Sequence, residues 1–67
     1  MNINKLKGKM VENEINVEML ANYMECHPSS LYRKFENPDK ITIEDAAKIR
    51  KFVPMTDADA YDIFLAQ

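Results

Sequence analysis

The amino-acid sequence predicts an all-α fold, a compact five-helix domain that covers residues 1–67. Three observations predict it. The chain contains one glycine, which leaves little material for the tight turns of β-hairpins. Apolar residues recur three and four positions apart along most of the sequence, which is the spacing of one helix face. A chain this short buries only about 60% of its unfolded surface, so it can form a single core.

Helical spacing is clear in the first half of the chain. The first predicted helix covers residues 3–12, and its core-facing residues are Ile3, Leu6 and Met10. Lysines occupy positions between them and are expected to face solvent. Asn16 is a favourable N-cap for the second helix. That helix runs to about residue 24, and its core-facing residues are Val17, Leu20, Ala21 and Met24.

A proline interrupts the helical pattern after the second helix. Proline disfavours helical geometry in the residue before it but suits the first position of a helix. His27 is therefore the predicted cap, and Pro28 the first residue, of a third helix with the sequence PSSLYRKFE. Only Leu31 and Phe35 are clear apolar anchors in this helix, so most of its side chains are expected to be exposed.

Two similar strings, TIED and TDAD, open the last two helices. In each string a threonine N-cap is followed three residues later by an aspartate that can complete a capping box. The fourth helix begins after Thr42 and ends before Pro54, and its predicted core-facing residues are Ile43, Ala46, Ile49 and Val53. The fifth begins after Thr56 and contains Tyr61, Phe64 and Leu65. Its acids are interpreted as a solvated helix start: Asp57, Asp59 and Asp62.

Composition argues against several classes of function. A single cysteine cannot form a disulfide within the chain. One cysteine and one histidine are also too few for the four ligands of a structural zinc site. No window approaches the roughly 20 apolar residues of a membrane span, so no membrane partner is expected and the predicted location is the cytoplasm. No catalytic constellation is present, and neither a cofactor nor a small-molecule ligand is expected. The sequence therefore predicts a protein that is not an enzyme.

Charge is unevenly distributed along the chain. A net charge of −2 and an isoelectric point of about 5.2 argue against a protein that coats phosphate backbones. Cations nevertheless form two groups, which are Lys5, Lys7 and Lys9, and Arg33, Lys34 and Lys40. Because local fields matter more than the total charge in attracting a polyanion, nucleic acid remains a candidate partner.

The third helix carries side chains suited to reading base edges in the major groove. A reading helix needs short polar groups near its N-terminus and longer donors further along, and Ser29, Tyr32 and Arg33 meet that requirement. Polar residues near this helix are expected to hold phosphates. The complete predicted DNA-binding set is Asn16, Pro28, Ser29, Ser30, Tyr32, Arg33, Lys34, Lys40 and Thr42.

The stretch VEMLANYMECHPSSLYRKFEN, residues 17–37, resembles the helix-turn-helix of the Cro/repressor-type, or xenobiotic-response-element, family. Ala21 matches the small residue where the two helices cross, Cys26 the apolar residue that closes the turn, and Leu31 the inward anchor of the recognition helix. SSLYRKFEN followed by ITIEDAAKIRKFV looks particularly like small prophage-encoded regulators of Gram-positive bacteria. The resemblance implies transcriptional regulation through double-stranded DNA.

Departures from the family pattern leave other functions open. Glu25 stands where family members often have glycine, and Val17 where a phosphate-contacting glutamine is common. The acidic total and Glu36 favour a protein-binding module on the same scaffold, acting as an antirepressor or antitoxin-like partner, whereas Arg33 and the amino-terminal lysines do not. An ordinary amphipathic surface helix with a capped start, over SSLYRKFE at residues 29–36, is the third interpretation.

A homodimer on DNA is expected, because such modules gain affinity by occupying two half-sites. The last helix is apolar around nearly its whole circumference, at Tyr61, Ile63, Phe64 and Leu65. These residues predict either a dimer contact or the docking of the last helix on the core. The sequence leaves both alternatives open.

Overall fold

Five helices make up the described part of the chain. The computed structural model describes residues 1–65. The helices are α1 (Ile3–Glu12), α2 (Val17–Tyr23), α3 (Pro28–Glu36), α4 (Ile43–Phe52) and α5 (Asp57–Ala60). A 3₁₀ turn, Pro38–Lys40, joins α3 to α4, and a π-helical turn, Tyr61–Leu65, continues α5. The described residues contain no strand, so the predicted all-α class is confirmed. The predicted domain extends to Gln67, and its last two residues lie outside the described range.

Side-chain caps fix the helix starts where the sequence predicts them. Asn16 Oδ1 accepts a hydrogen bond from the Met19 backbone N–H at 2.8 Å. Thr42 and Thr56 each cap a helix, and the aspartate three residues later completes a capping box by accepting the threonine N–H. These bonds satisfy backbone donors that would otherwise lack partners in the first turn. The starts of α2, α4 and α5 are therefore set by local sequence.

One apolar core joins the first four helices to the π-helical turn that continues α5. Its largest fully buried side chains are Leu6, Leu20, Leu31, Ile49, Val53 and Ile63. The ring of Tyr23 stacks on that of Phe52 with 4.7 Å between centroids and connects α2 to α4. The radius of gyration is 10.7 Å, close to the roughly 11 Å expected for a compact chain of this length. The predicted core faces of α1, α2 and α3 are confirmed.

The prediction that Ile43 faces the core is wrong. Its side chain is 91% exposed, whereas Ile49 is fully buried and Ala46 is half-buried. At about 100° per residue, Ile43 lies roughly a quarter turn from the direction that Ala46 and Ile49 share. The first turn of α4 therefore presents a large apolar side chain to solvent.

The last helix docks on the core through Ile63, which is fully buried. The backbone N–H of Asn2 donates to the Ile63 carbonyl at 2.7 Å, which ties the start of the chain to the π-helical turn. Ile63 is thus removed from the predicted dimer surface. Tyr61 and Leu65 remain 57% and 69% exposed.

A helix-turn-helix forms where α2 packs against α3. Ala21 is fully buried in α2, as expected for a small residue where two helices approach closely. The Cys26 N–H donates to the Ala21 carbonyl at 3.0 Å and closes the turn. Glu25 adopts φ 57°, the left-handed region that disfavours residues with a Cβ. The chain therefore carries backbone strain at the position where glycine is common in the resembling family.

Replacing Glu25 with glycine is expected to raise the free energy of unfolding by up to about 1.5 kcal/mol. The left-handed conformation costs a residue with a Cβ about 1–2 kcal/mol, and glycine removes this cost. The greater entropy of glycine in the unfolded state opposes the resulting stabilisation by about 0.5–1 kcal/mol. Urea denaturation followed by circular dichroism measures the change. Glu25→Ala is the matched control, since it removes the same charge but keeps the Cβ. An equal gain in both variants would contradict the backbone explanation and point to the lost charge.

Candidate nucleic-acid interface

The start of α3 is fixed by the residue before it. His27 Nδ1 accepts a hydrogen bond from the Ser29 N–H at 3.1 Å and lies 2.8 Å from Ser29 Oγ. Pro28 occupies the first position of α3 and is half-buried. The N–H at that position has no partner within a helix, so proline, which lacks it, loses no hydrogen bond there. Ser29 therefore stands at the N-terminal end of α3 with its hydroxyl already ordered by the cap.

The buried side of α3 determines which residues face outward. Leu31 is fully buried and Phe35 is 5% exposed. At about 100° per residue, the direction opposite these two anchors passes through Arg33. Ser29 and Ser30 lie on either side of that direction, and both are exposed. The outer face of α3 is thus a short polar surface centred on an arginine.

A groove beside α3 brings predicted residues together. We call it the α3 groove, and its lining residues are Ser30, Arg33, Lys34, Asn37 and Lys40. Four of these belong to the predicted DNA-binding set. Lys40 comes from the 3₁₀ turn, so the turn places it beside the helix. Asn37, the C-terminal cap of α3, is a lining residue that the sequence reasoning treated only as part of a turn. Its position directly before a proline was the available signal.

Lys34 is held by an ion pair inside the molecule. Its Nζ lies 2.7 Å from Asp45 Oδ2, and the Asp45 side chain is only 13% exposed. Burial raises the pKa of Asp45, but hydrogen bonds from Lys34 and the Thr42 N–H outweigh that effect and leave the pKa below its usual value. Lys34 therefore joins α3 to α4, and much of its charge is already compensated.

Asn16 and Thr42 use their side chains as helix caps. Asn16 Oδ1 and Thr42 Oγ1 each accept a backbone N–H, at 2.8 Å and 3.0 Å. The Asn16 amide nitrogen can still donate to a phosphate, and so can the Thr42 hydroxyl proton. Asn16 lies with Tyr32 and Lys7 along a second groove on the α1 and α2 side of α3. Of the nine predicted residues, four line the α3 groove and two line this second groove, whereas Pro28, Ser29 and Thr42 line neither.

The first group of lysines does not face solvent as a unit. Lys5 Nζ lies 2.7 Å from Asp62 Oδ2, and Lys9 Nζ lies 3.1 Å from Asp59 Oδ2. A further contact of 3.5 Å joins Lys5 to Asp59. We call these four residues the terminal clasp. The prediction that these lysines face solvent is wrong for Lys5 and Lys9, and Asp59, with 19% of its side chain exposed, is not a solvated acid.

The terminal clasp predicts a loss of stability in acid. The hydrogen bond from the Thr56 N–H, followed by that from Lys9, lowers the pKa of Asp59 to about 2. An unfolded aspartate has a pKa of about 3.9. Because the folded pKa is the lower one, this stabilisation is present above about pH 4 and is lost as the pH falls towards about 2.

Urea denaturation at several pH values measures this dependence. In Asp59→Asn the fall in unfolding free energy below pH 4 is expected to be shallower than in the wild type. Asp39→Asn is the control, since it removes an exposed carboxylate outside the terminal clasp. An unchanged slope in Asp59→Asn would contradict the assignment.

Ion pairing leaves few uncompensated cations. Of the nine lysines and arginines, five form ion pairs within the described residues, which are Lys5, Lys9, Lys34, Lys48 and Arg50. The remaining four are Lys7, Arg33, Lys40 and Lys51. Two of these four line the α3 groove, and Lys7 lines the groove that contains Tyr32. Three of the four unpaired cations therefore flank α3.

Comparison with known proteins assigns no family to this chain. No family model, curated protein or solved structure matches it. Within residues 1–65, no cluster of three or more histidine, cysteine, aspartate or glutamate side chains is placed to hold a metal ion. No helix in the same range is long and apolar enough to cross a bilayer. The candidate function therefore depends on the geometry and charge around α3.

Proposed function

We propose that this chain is a sequence-specific DNA-binding transcriptional regulator and that α3 enters the major groove of double-stranded DNA. One observation carries the proposal: of the four lysines and arginines that form no ion pair within residues 1–65, three flank α3, in a chain whose net charge is −2. Most paired cations lie away from α3, in the terminal clasp and along α4, whereas Lys34 is paired with Asp45 beside α3 itself. These unpaired cations are the groups that a polyanion would approach at α3, and Glu36 on the helix and Glu18 in the groove of Lys7 oppose that approach.

The side chains around α3 divide into two roles. Arg33 and Ser29 stand on the outer face, where they can bond base edges in the major groove. Lys40, Asn37 and Lys7 lie along the flanking grooves, where phosphates of the two DNA strands would approach. The base-reading set is short, so phosphate contacts supply much of the affinity.

The proposed mechanism is steric. Two copies occupy neighbouring half-sites, and their presence blocks polymerase or a competing repressor. The resemblance to Cro/repressor-type proteins is the reason for proposing a phage or mobile-element regulator that acts in the cytoplasm. The role requires neither catalysis nor a cofactor, and regulation would come through concentration and competition for the operator.

A binding titration tests this function. Fluorescence anisotropy is measured with labelled duplex DNA from upstream of the chain's own gene and with a shuffled duplex, at several salt concentrations. We expect tighter binding to the native duplex and a logarithmic salt slope of about −2 per chain, since the two lysines that meet phosphates, Lys7 and Lys40, contribute roughly 0.9 each. Binding that is absent, or equal for both duplexes, would overturn the proposal.

A second candidate is a protein-binding module that captures a regulator. Glu36 lies exposed on α3, and the net charge of −2 is unfavourable for approach to DNA. An antirepressor would be expected to release a repressor from its operator while showing no affinity for the duplex itself. The same titration, repeated with a repressor encoded beside this gene, separates the two functions.

A further inference from the structure

A stripe of side chains that can donate hydrogen bonds runs along one side of α3. Its members follow the helical spacing i, i+3, i+4 and i+7, and they are Ser30, Arg33, Lys34 and Asn37. At about 100° per residue they fall within an arc of about 100°, and the buried anchor Leu31 lies outside that arc. The 3₁₀ turn returns Lys40 to the same side, where it completes the lining of the α3 groove. The groove is therefore lined by donors from two elements.

No carboxylate belongs to the lining of the α3 groove. By contrast, Glu18 lines the groove that contains Tyr32, and Asp57 lines a groove between α4 and the last helical segment. Glu36 and Asp39 are close in sequence but are not among the lining residues. The α3 groove thus differs from these two grooves because it has no acid in its lining, in a chain whose net charge is −2.

Most donors in this lining have no partner inside the molecule. Lys34 is paired with Asp45 at 2.7 Å, whereas the side chains of Ser30, Arg33, Asn37 and Lys40 make no hydrogen bond or ion pair within residues 1–65. Of the three positive charges in the lining, two therefore stay uncompensated. A phosphate monoester carries a charge of about −1.5 to −2 at pH 7 and three strong acceptor oxygens, so it matches this lining. Each phosphodiester of DNA carries only one charge.

We infer that the α3 groove binds the phosphate monoester group of a small phosphorylated molecule. Arg33 and Lys40 compensate its two charges, and the Ser30 hydroxyl and the Asn37 amide donate to its oxygens. The groove has a volume of about 350 Å³, within the range of about 300–1,000 Å³ that is usual for small-molecule sites. No such ligand is expected from the sequence, because the return of Lys40 to the helix cannot be read from it.

The bound phosphate and duplex DNA exclude each other, because Arg33 serves both. In this respect the inference rests on the proposed function, since it names a ligand that releases the regulator from its operator. Control by such a ligand would add to control by concentration and competition.

An NMR titration of the full chain without DNA tests the site. Methyl phosphate, a monoester, and dimethyl phosphate, a diester with one charge, are each added to isotope-labelled protein at constant ionic strength. We expect saturable shifts in the backbone amides of residues 29–40. The dissociation constant for methyl phosphate should be about fivefold lower, which corresponds to about 1 kcal/mol for one additional exposed charge contact. Equal affinity for the two probes, or shifts spread over the whole surface, would overturn the inference.

Three variants separate a formed site from general attraction of anions. Lys40→Gln should weaken methyl phosphate binding about fivefold. Lys51→Gln is the matched control, since it removes an exposed unpaired cation outside the groove and should leave the affinity unchanged. Ser30→Ala changes no charge, yet it should weaken binding about threefold through the lost hydroxyl bond. Circular dichroism verifies that all three are folded. Equal losses in the two lysine variants, or no loss in Ser30→Ala, would contradict the site.

Two larger probes identify the class of molecule that carries the phosphate. Adenosine 5′-monophosphate and glucose 6-phosphate are titrated in the same way, each beside its unphosphorylated form. Binding of either phosphorylated probe should exceed that of its unphosphorylated form, and the tighter of the two assigns the class. Equal binding with and without the phosphate would overturn the inference.

Competition with DNA separates the inference from the proposed function. Saturating methyl phosphate at constant ionic strength should release the labelled native duplex, and dimethyl phosphate at the same concentration should release less. A duplex that stays bound to the saturated protein would overturn the mutual exclusion. A chain that binds methyl phosphate but no DNA would retain the phosphate site and remove the function. DNA binding by a chain with no preference for the monoester would retain the function and remove the inference.

Discussion

Replacement of Leu31 with alanine is expected to lower the free energy of unfolding by about 2–5 kcal/mol. Leu31 is fully buried and is one of two apolar anchors that hold α3 against the core. Its truncation removes methyl groups from a packed interior and leaves a cavity that a small domain can only partly close. The global stability of a chain this size is roughly 3–10 kcal/mol, so the variant should be close to unfolded at physiological temperature.

Urea denaturation measured by circular dichroism quantifies the loss, and the neighbouring residue supplies the control. Tyr32 is 47% exposed, so Tyr32→Ala should change the unfolding free energy far less. Comparable losses in the two variants would show that Leu31 is not the anchor of α3. Both variants should bind DNA less well, but only Leu31→Ala should do so through unfolding.

Leu31 and Tyr32 are expected to differ because one is buried in the core and the other lies on the exposed surface of α3. Two buried side chains, Leu31 and Phe35, are spaced four residues apart and occupy one narrow strip of the helix. Most of the helix surface is then available for contacts outside the fold. Because only two large side chains anchor α3 in the core, loss of either one is expected to destabilise the helix that the proposed function uses.

Local features of the fold were predictable because their causes lie within a few residues. The capping box between Thr42 and Asp45 depends on a three-residue spacing that can be read directly from the sequence. The same holds for the break at His27 and Pro28, where proline chemistry fixes the boundary. Helix order and the helix-turn-helix followed from such signals together with apolar periodicity.

Long-range features were not predictable in the same way. Lys5 and Asp62 are 57 residues apart, and their hydrogen bond exists only because the core brings α1 against the last helical segment. A count of lysines near the N-terminus therefore overestimated the charge offered to a partner. The prediction that Ile43 is buried was wrong for a related reason. Apolar spacing predicts burial, but no neighbouring element covers the first turn of α4.

The candidate site combines both kinds of feature. The sequence placed Arg33 and the serines on the third helix, and helical periodicity determines that they face away from Leu31. Which cations remain unpaired could be known only from the fold. The pairing of Lys34 with Asp45 and the position of Lys40 beside α3 depend on how the chain returns after the 3₁₀ turn.

Arg33→Ala is expected to weaken binding to the native duplex by about ten- to a hundredfold, and to weaken binding to a shuffled duplex less. An arginine that bonds two acceptors of guanine contributes about 1–3 kcal/mol of discrimination against the wrong base. Arg33 has the position for this role, because it is exposed, makes no ion pair within residues 1–65 and lies opposite the buried anchors of α3. Anisotropy titrations with both duplexes measure the two losses separately.

Two further alanine variants distinguish base reading from simple charge. Lys40→Ala should weaken binding to both duplexes alike and make the logarithmic salt slope shallower by about 1, as expected for one phosphate contact. Lys51→Ala removes an equally unpaired cation that lines neither groove beside α3, so its effect should be the smallest of the three. If all three variants lose affinity equally and on both duplexes, the attraction is nonspecific. Arg33 would then provide only charge, and α3 would not be reading sequence.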